Sequence, residues 1–446
     1  MKRRYRPALP VFLLALAALA APAAAADNVA GAPPAADNAA AAMPGAPPPA
    51  VTWTVEEVTG IALKNHPLVK QADAETDAAA ARKGQAESAW YPFVNLSTGY
   101  SRNRTFSSQS GLSDVSSNGF VRGDLNWILY DFGRTSASVD RADANAASTR
   151  AGAATTREDV VFAAKLAFYN VLRAERTLSF QRENLRQRET LLRQATAYYE
   201  AGVRAKIDVA RAEANVYDAR AQVSQVENDL RVARITLLQR MGIDGPAGFA
   251  LAGGLPELQL PGGMSDWVAE AEKNRPELRA QLEKERAATE SLRRARSDYY
   301  PYLTGSLGAG YGADTFPLQQ NYGAAVTLSL PLFSGFLTRE QVKEASATIS
   351  SAQHELTEAR RRVRLQVEAS AYSVQEAQER LSARKKEREA SEENLRLATA
   401  RYEVGAGDII EMVDAQTQMV RSDTDVINTA FDYAVSVASL LRALGR

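Results

Sequence analysis

The sequence is written twice, and this restricts the possible folds more than any other feature. Asn65 and Pro67 recur as Asn274 and Pro276, and Trp90, Tyr91 and Pro92 recur as Tyr299, Tyr300 and Pro301, a shift of 209 residues. From Leu129 and Tyr130, which match Leu332 and Phe333, the shift is 203. It holds to the end: Ala195, Thr196, Ala197, Tyr199, Glu200 and Gly202 return as Ala398, Thr399, Ala400, Tyr402, Glu403 and Gly405. Leu237, Leu238 and Gly242 return as Leu440, Leu441 and Gly445. Landmarks kept in order at two fixed offsets indicate a tandem duplication, hence one architecture built twice. The first copy is expected over 51–245, a linker over 246–264 and the second copy over 265–446. The change of offset falls inside a pair of strand-like segments, which predicts a shorter loop there in the second copy.

Each copy reads helix, two strands, very long helix, tight turn, helix. From Arg134 to Tyr199 there is no proline and only Gly152, and from Thr338 to Glu403 there is neither proline nor glycine. At ~1.5 Å per residue such runs extend to about 100 Å. Val171, Leu178, Leu185, Leu192 and Tyr199 recur every seven residues, and beyond the turn near 202 so do Val209, Val216, Val223, Leu230 and Leu237. Val374, Leu381, Leu395 and Tyr402, then Met412, Met419, Val426, Tyr433 and Leu440, repeat the pattern around the turn near 405, broken only at Arg388. A sustained seven-residue period is a coiled-coil signal, so these residues are read as the core of a wall of helices.

Four segments alternate instead with a period of two: about 93–103, 119–130, 302–312 and 321–331. Val121, Gly123, Leu125, Trp127 and Leu129 suit an apolar face against Arg122, Asp124 and Asn126. Val94, Leu96, Thr98 and Tyr100 stand against Asn95, Ser97 and Gly99. In the second copy Leu303, Leu307, Ala309 and Tyr311 oppose Thr304, Ser306, Gly308 and Gly310, and Tyr322, Ala324, Val326, Leu328 and Leu330 oppose Gly323, Thr327 and Ser329. Each segment has the ~10 residues a tilted membrane strand needs, and the small polar face suits a wet lumen. Four strands cannot close a barrel, because unpaired backbone groups at both edges would face lipid at several kcal/mol each. Several copies must therefore join, with eight, twelve or about sixteen strands all allowed.

The start of the chain sets the compartment. Lys2, Arg3, Arg4 and Arg6 precede an apolar run from Val11 to Ala20 and the small residues Ala24, Ala25 and Ala26. Residues 1–26 thus read as a cleaved secretory signal. Residues 27–50, nearly all Ala, Pro, Gly, Asp and Asn, read as a flexible leader. Lys+Arg and Asp+Glu balance at 53 each, so nothing favours nucleic acid as a partner. With no cysteine and only His66 and His354, the chain offers no zinc cluster and no Cys-His or Ser-His-Asp set. No cofactor, metal or enzymatic activity is expected.

The Asn-x-Pro near the start of each copy and the aromatic-Tyr-Pro entry to its first strand carry a family resemblance. So do the Leu-Tyr-Asp-Phe-Gly and Leu-Phe-Ser-Gly exits and the paired Tyr-Glu-x-Gly turns. In order and spacing, from Trp53 to Arg446, they resemble the TolC family of outer-membrane efflux channels. The resemblance implies a mainly α protein with a membrane β part: a homotrimer with one twelve-stranded barrel in outer-membrane lipid and a periplasmic α-barrel. It further implies docking on a periplasmic adaptor and an inner-membrane transporter, through the hairpin tips at Gly202, Gly405 and Gly407. Drug efflux and type I protein secretion are equally open to such a duct. Matched by position, Asp208 and Tyr402 correspond to members of a closing hydrogen-bond network, and Glu411 and Asp414 to acidic rings lining a constriction. The family often has an arginine where this chain has Gly407, and Arg204 or Lys206 could replace it. The alternative function is a soluble periplasmic coiled-coil adaptor or scaffold.

Overall fold

A computed structural model describes residues 52–106, 113–246, 248–254, 263–313 and 318–446. The expected signal peptide and leader lie outside these residues, as do 247 and 255–262 of the expected linker. The first copy runs β1 (Thr52–Trp53), α1 (Val55–Asn65), α2 (Pro67–Glu87), β2 (Phe93–Phe106), β3 (Ser113–Tyr130), α3 (Arg134–Glu200) and α4 (Lys206–Met241). The second runs β4 (Ala250–Leu251), α5 (Met264–Asn274), α6 (Pro276–Ser297), β5 (Tyr302–Ala313), β6 (Gln319–Ser329), α7 (Leu337–Glu403) and α8 (Ile409–Ala443). α3 and α7 have 67 residues each and are therefore about 100 Å long. No described helix is long and apolar enough to cross a membrane.

The Asn-x-Pro motif breaks one helix and starts the next. A residue before proline is pushed out of the α region, and His66 and Arg275 both adopt extended ψ (129° and 124°). Proline then opens α2 and α6, where its missing N–H is no loss. His66 caps α2, its Nδ1 accepting from the Leu68 N–H at 3.2 Å. The bend is packed against the far end of its own copy: Gly242, left-handed at φ +68°, ends α4 so close that a Cβ there would lie 2.7 Å from the His66 Cα. Gly445 (φ +77°) approaches Asn274 in the same way. Beside these junctions β1 pairs in parallel with β4, and Trp53 packs on Phe249 at 4.8 Å.

The four long strands form one antiparallel sheet in the order β2-β3-β5-β6. Strand-to-helix corners are made by two successive left-handed residues. These are Phe132 (φ 52°) and Gly133 (91°) in the first copy, and Gly335 (63°) and Phe336 (67°) in the second, with Phe and Gly exchanged. Asp131 supports the first corner, its carboxylate accepting from the N–H groups of Gly133 (3.2 Å) and Thr135 (2.7 Å). The loops expected to differ, at 107–112 and 314–317, lie outside the described residues. β2 and β3 have 14 and 18 residues against 12 and 11 in β5 and β6, so the first copy's hairpin is longer in its paired strands.

Each long helix pairs with the shorter one that follows it, and the seven-residue series is buried unevenly. Val171, Leu178, Leu230, Leu237, Val374 and Leu440 are buried, while Leu185, Leu192 and Leu381 are half-buried and Tyr199 is exposed. Along the lower half of α3 the buried positions include Gln181, Asn184 and Arg188. Asn184 donates to Gln181 and Arg188 donates to Asn184, both at 3.3 Å, and Arg188 reaches the Asn215 carbonyl at 3.2 Å. The polar atoms are thus paired, as burial requires. Burial lowers the pKa of the Arg188 guanidinium, and Asp218 opposes that shift. Arg388, the break in the second series, pairs with Asp423 on α8. Gly242→Ala should lower stability by about 1–3 kcal/mol through the clash and the left-handed backbone. Gly84→Ala in α2, where nothing lies within 4 Å, should be neutral or stabilising; thermal unfolding of the two variants checks this.

Candidate functional site

Strand register decides what the sheet can do. Val94, Leu125, Leu307 and Ala324 lie side by side across the four strands, as do Leu96, Gly123, Ala309 and Tyr322. Directly paired residues share a face, so the apolar positions of all four strands gather on one side of the sheet. That side is uncovered: Val94, Leu96, Tyr100, Tyr311, Tyr322, Val326 and Leu328 are all exposed. An apolar surface of this extent needs lipid or protein against it. The opposite side carries Ser97, Asn126, Ser306 and the Arg122–Asp124 ion pair at 2.6 Å. Glycines make room for that pair: a Cβ at Gly308 would stand 3.0 Å from Arg122 Nη2 and 3.1 Å from Asp124 Oδ1. At the helix end of the sheet, Trp90, Tyr91, Phe93, Trp127, Tyr130, Phe132, Tyr299, Tyr300, Phe333 and Phe336 are exposed. Phe132 stacks on Tyr300 at 5.6 Å, and Trp127 Nε1 donates to the Trp90 carbonyl at 2.9 Å. A collar of aromatics where strands meet helices is the arrangement of a membrane–water boundary. β2 and β6 each keep one edge without a strand partner among the described residues.

At the far end, the two hairpin tips turn through left-handed Gly202 (φ +73°) and Gly405 (φ +76°). In the first tip the Tyr198 carbonyl accepts from Val203 at 2.9 Å; in the second the Arg401 carbonyl accepts from both Ala406 and Gly407 at 2.9 Å. Gly407 is pressed against its own helix, since a Cβ there would meet the Arg401 Cβ at 3.0 Å and the Tyr402 nitrogen at 3.1 Å. The tips are joined by Arg204. Its guanidinium lies 4.6 Å from the centre of the Tyr402 ring and donates to the Tyr402 carbonyl at 3.1 Å. Tyr402 is 2% exposed, within a small cluster of Leu191, Ile409 and Met412 with Tyr198 and Val413 beside it. Its hydroxyl is buried with no hydrogen-bond partner among the described residues. Burial first, and the buried Asp208 carboxylate second, push the phenol above its usual pKa.

The structure thus gathers Asp208, Tyr402 and Arg204 around one junction between the hairpins. Lys206 stands apart, exposed and with no ion pair among the described residues. Glu411 and Asp414 lie on the exposed side of α8, away from Tyr402; Glu411 pairs with Arg401 at 3.6 Å. Arg401 and Tyr198 carry no signal in the sequence, because their roles come from contacts made only when the tips fold.

The family of outer membrane efflux proteins matches residues 58–243 and 267–446, one match on each copy. The chain belongs to that family. It is 27% identical over 424 residues to protein CyaE of Bordetella pertussis, covering 89% of this chain and 87% of that protein. It is 25% identical over 404 residues to outer membrane protein TolC of Vibrio cholerae, covering 87% and 90%. Among solved structures it is similar to CusC (TM-score 0.80, 18% identity, 89% and 93% covered) and to the open state of the Neisseria gonorrhoeae MtrE channel (TM-score 0.76, 21%, 88% and 88%). The family's members are transport channels of the outer membrane extending into the periplasm, and this sets aside the soluble adaptor alternative. With the fold shared, the sheet is the membrane part and the long helices the periplasmic part. Arg204→Ala should remove about 1–2 kcal/mol of local tip stability. Amide exchange over 198–212 and 399–412 should then quicken roughly tenfold, whereas Tyr402→Phe, which removes an unpartnered hydroxyl, should leave it unchanged.

Proposed function

We propose that this chain is the homotrimeric exit duct of a tripartite pump, a passive conduit that takes cargo from an inner-membrane transporter through a periplasmic adaptor. The observation that carries the reading is the sheet: an exposed apolar face, a polar face and two open edges, attached to helices about 100 Å long. The family's channels are trimeric and work with an adaptor and a pump, and three copies of four strands would close a twelve-stranded barrel with no edge left in lipid. Among the described residues no cluster could hold a metal ion. The purified protein in mild detergent should have the mass of three chains and fractionate with the outer membrane. A monomer in the soluble periplasmic fraction would end the proposal. A deletion strain's sensitivity to dyes and antibiotics, compared with its secretion of proteins, separates efflux from type I export.

Within that duct we assign the periplasmic gate to Asp208, Tyr402 and Arg204. Arg204 takes the place left empty by Gly407, because it already bridges one hairpin to the other through the Tyr402 ring and carbonyl. Glu411 and Asp414 would form acidic rings nearer the axis, with Arg401 partly neutralising the first. The exposed tips, with Gly202, Gly405, Val203 and Val404, would receive the adaptor. Asp208→Ala combined with Tyr402→Phe, and Arg204→Ala alone, should each raise single-channel conductance in a planar bilayer several-fold. Unchanged conductance in both would remove the gate assignment and leave the duct standing.

A further inference from the structure

Midway along the sheet, the charged and aromatic side chains of the polar side all come from β3. Phe120, Arg122 and Asp124 lie two residues apart on that strand and so share a side. Across β5 each is paired directly with a glycine: Phe120 with Gly312, Arg122 with Gly310 and Asp124 with Gly308. Across β2 their partners are Gly99, Ser97 and Asn95. On the polar side of the sheet from Asn118 to Tyr130, Arg122 and Asp124 are the only charged residues among the described residues. The repeat puts Gly323, Ala325 and Thr327 of β6 at the equivalent positions, 203 residues on. The group of large side chains therefore occurs once per chain.

All three side chains are laid along the wall. Arg122 Nε lies 2.6 Å from Asp124 Oδ1, and the pair leans over β5, where it would crowd any Cβ at Gly308. A Cβ at Gly310 would stand 2.8 Å from the Arg122 Cα, and one at Gly312 would stand 3.4 Å from the Phe120 Cβ. Phe120 leans the other way, its Cε1 only 2.7 Å from the place of a Gly99 Cβ. Glycine inside a strand weakens it, and it marks a place where another group approaches closely. The ion pair does not offset that loss: the Arg122 side chain is 60% exposed, and an ion pair in water contributes little. What the glycines secure is position, with the two charges flat on the sheet and in contact with each other.

In the duct this side faces the lumen, and three chains bring three such pairs to one level. Three guanidiniums alone would favour anions over cations, because rings of like charge set the selectivity of pores. Their field would reach about 8 Å into the lumen at physiological salt. A guanidinium in contact with a carboxylate presents a dipole instead, and the field of a dipole dies away faster with distance. We propose that Arg122 and Asp124 form a charge-balanced collar, which makes the barrel indifferent to the charge of its cargo. Anionic and cationic small molecules then pass it alike. Asp124 is the neutralising partner, and the glycines of β5 let both charges lie against the wall. Any choice of cargo by charge falls to other parts of the pump.

This inference rests on the duct reading, and the test separates the two. The sequence has no cysteine, so a single introduced thiol reports without background. Ser97→Cys puts one beside Arg122 on the polar side, and Leu96→Cys puts one on the apolar side. The purified protein in mild detergent is treated with negatively and positively charged methanethiosulfonates of similar size. Ser97→Cys should react with both, at a ratio of rates close to that of a thiol in a neutral peptide, and Leu96→Cys with neither. Adding Asp124→Asn should raise the ratio of anionic to cationic rates several-fold. Adding Arg122→Gln should lower it several-fold, and the two together should restore it. A ratio that neither substitution moves, or one already strongly biased with both charges present, overturns the collar and leaves the duct standing. A Ser97→Cys thiol silent to both reagents, or a reactive one at Leu96→Cys, removes the wet lumen and the duct reading with it.

Discussion

A backbone amide or carbonyl facing hydrocarbon without a partner costs several kcal/mol, and a four-stranded open sheet has two full rows of them. Everything else in this chain follows from that constraint. β2 and β6 cannot end in lipid, so the sheet must continue into other copies. A sheet that continues into copies of itself must close, and closure encloses a lumen for the polar side bearing Arg122, Asp124 and Ser306. α3 and α7 leave the sheet at the two left-handed corners, so the long helices start from positions that the strands fix.

Duplication is what makes the closure economical in sequence. The seam inside the chain joins two copies of one design, so each copy has to solve the same packing problem. The two corners show how loosely sequence and solution are tied. Both need two consecutive left-handed residues, and one copy uses Phe132-Gly133 where the other uses Gly335-Phe336. A phenylalanine in that conformation is strained by about 1–2 kcal/mol. It is held because its ring joins the aromatic collar, Phe132 on Tyr300 and Phe336 on Phe333. The bends at His66 and Arg275 are fixed in the same spirit, each pressed onto the glycine that ends its own copy.

The wall and the tips are built differently. Near the sheet, small residues such as Ala137, Ala144 and Ala153 let helices approach closely. Towards the tips the core of α3 becomes polar, with Gln181, Asn184 and Arg188 hydrogen-bonded in a row, and the second hairpin places Arg384 and Arg388 against Asp425 and Asp423. Polar and ionic contacts fix alignment more than they add stability, because desolvation offsets most of the attraction. The Arg204 bridge on Tyr402 supplies such alignment, crossing between hairpins where an apolar contact could slide.

Much of the fold was legible from residues alone. The repeat, the uninterrupted long helices and the two-residue alternation each follow from local rules, and local rules act on neighbours in sequence; the single first helix expected in each copy is instead broken in two at Asn-x-Pro. The junction of the tips was only partly legible: the family resemblance pointed to Asp208 and Tyr402, and nothing in the sequence chose Arg204 over Lys206. Sequence alone determined that the strands have an apolar and a polar side and that one chain cannot seal them. Only the tertiary structure decided the strand register, the burial of Gln181, Asn184 and Arg188, and the pairing of Glu411 with Arg401. Those depend on residues far apart in the chain arriving at one place, and no periodicity within a helix or strand encodes which partner waits there.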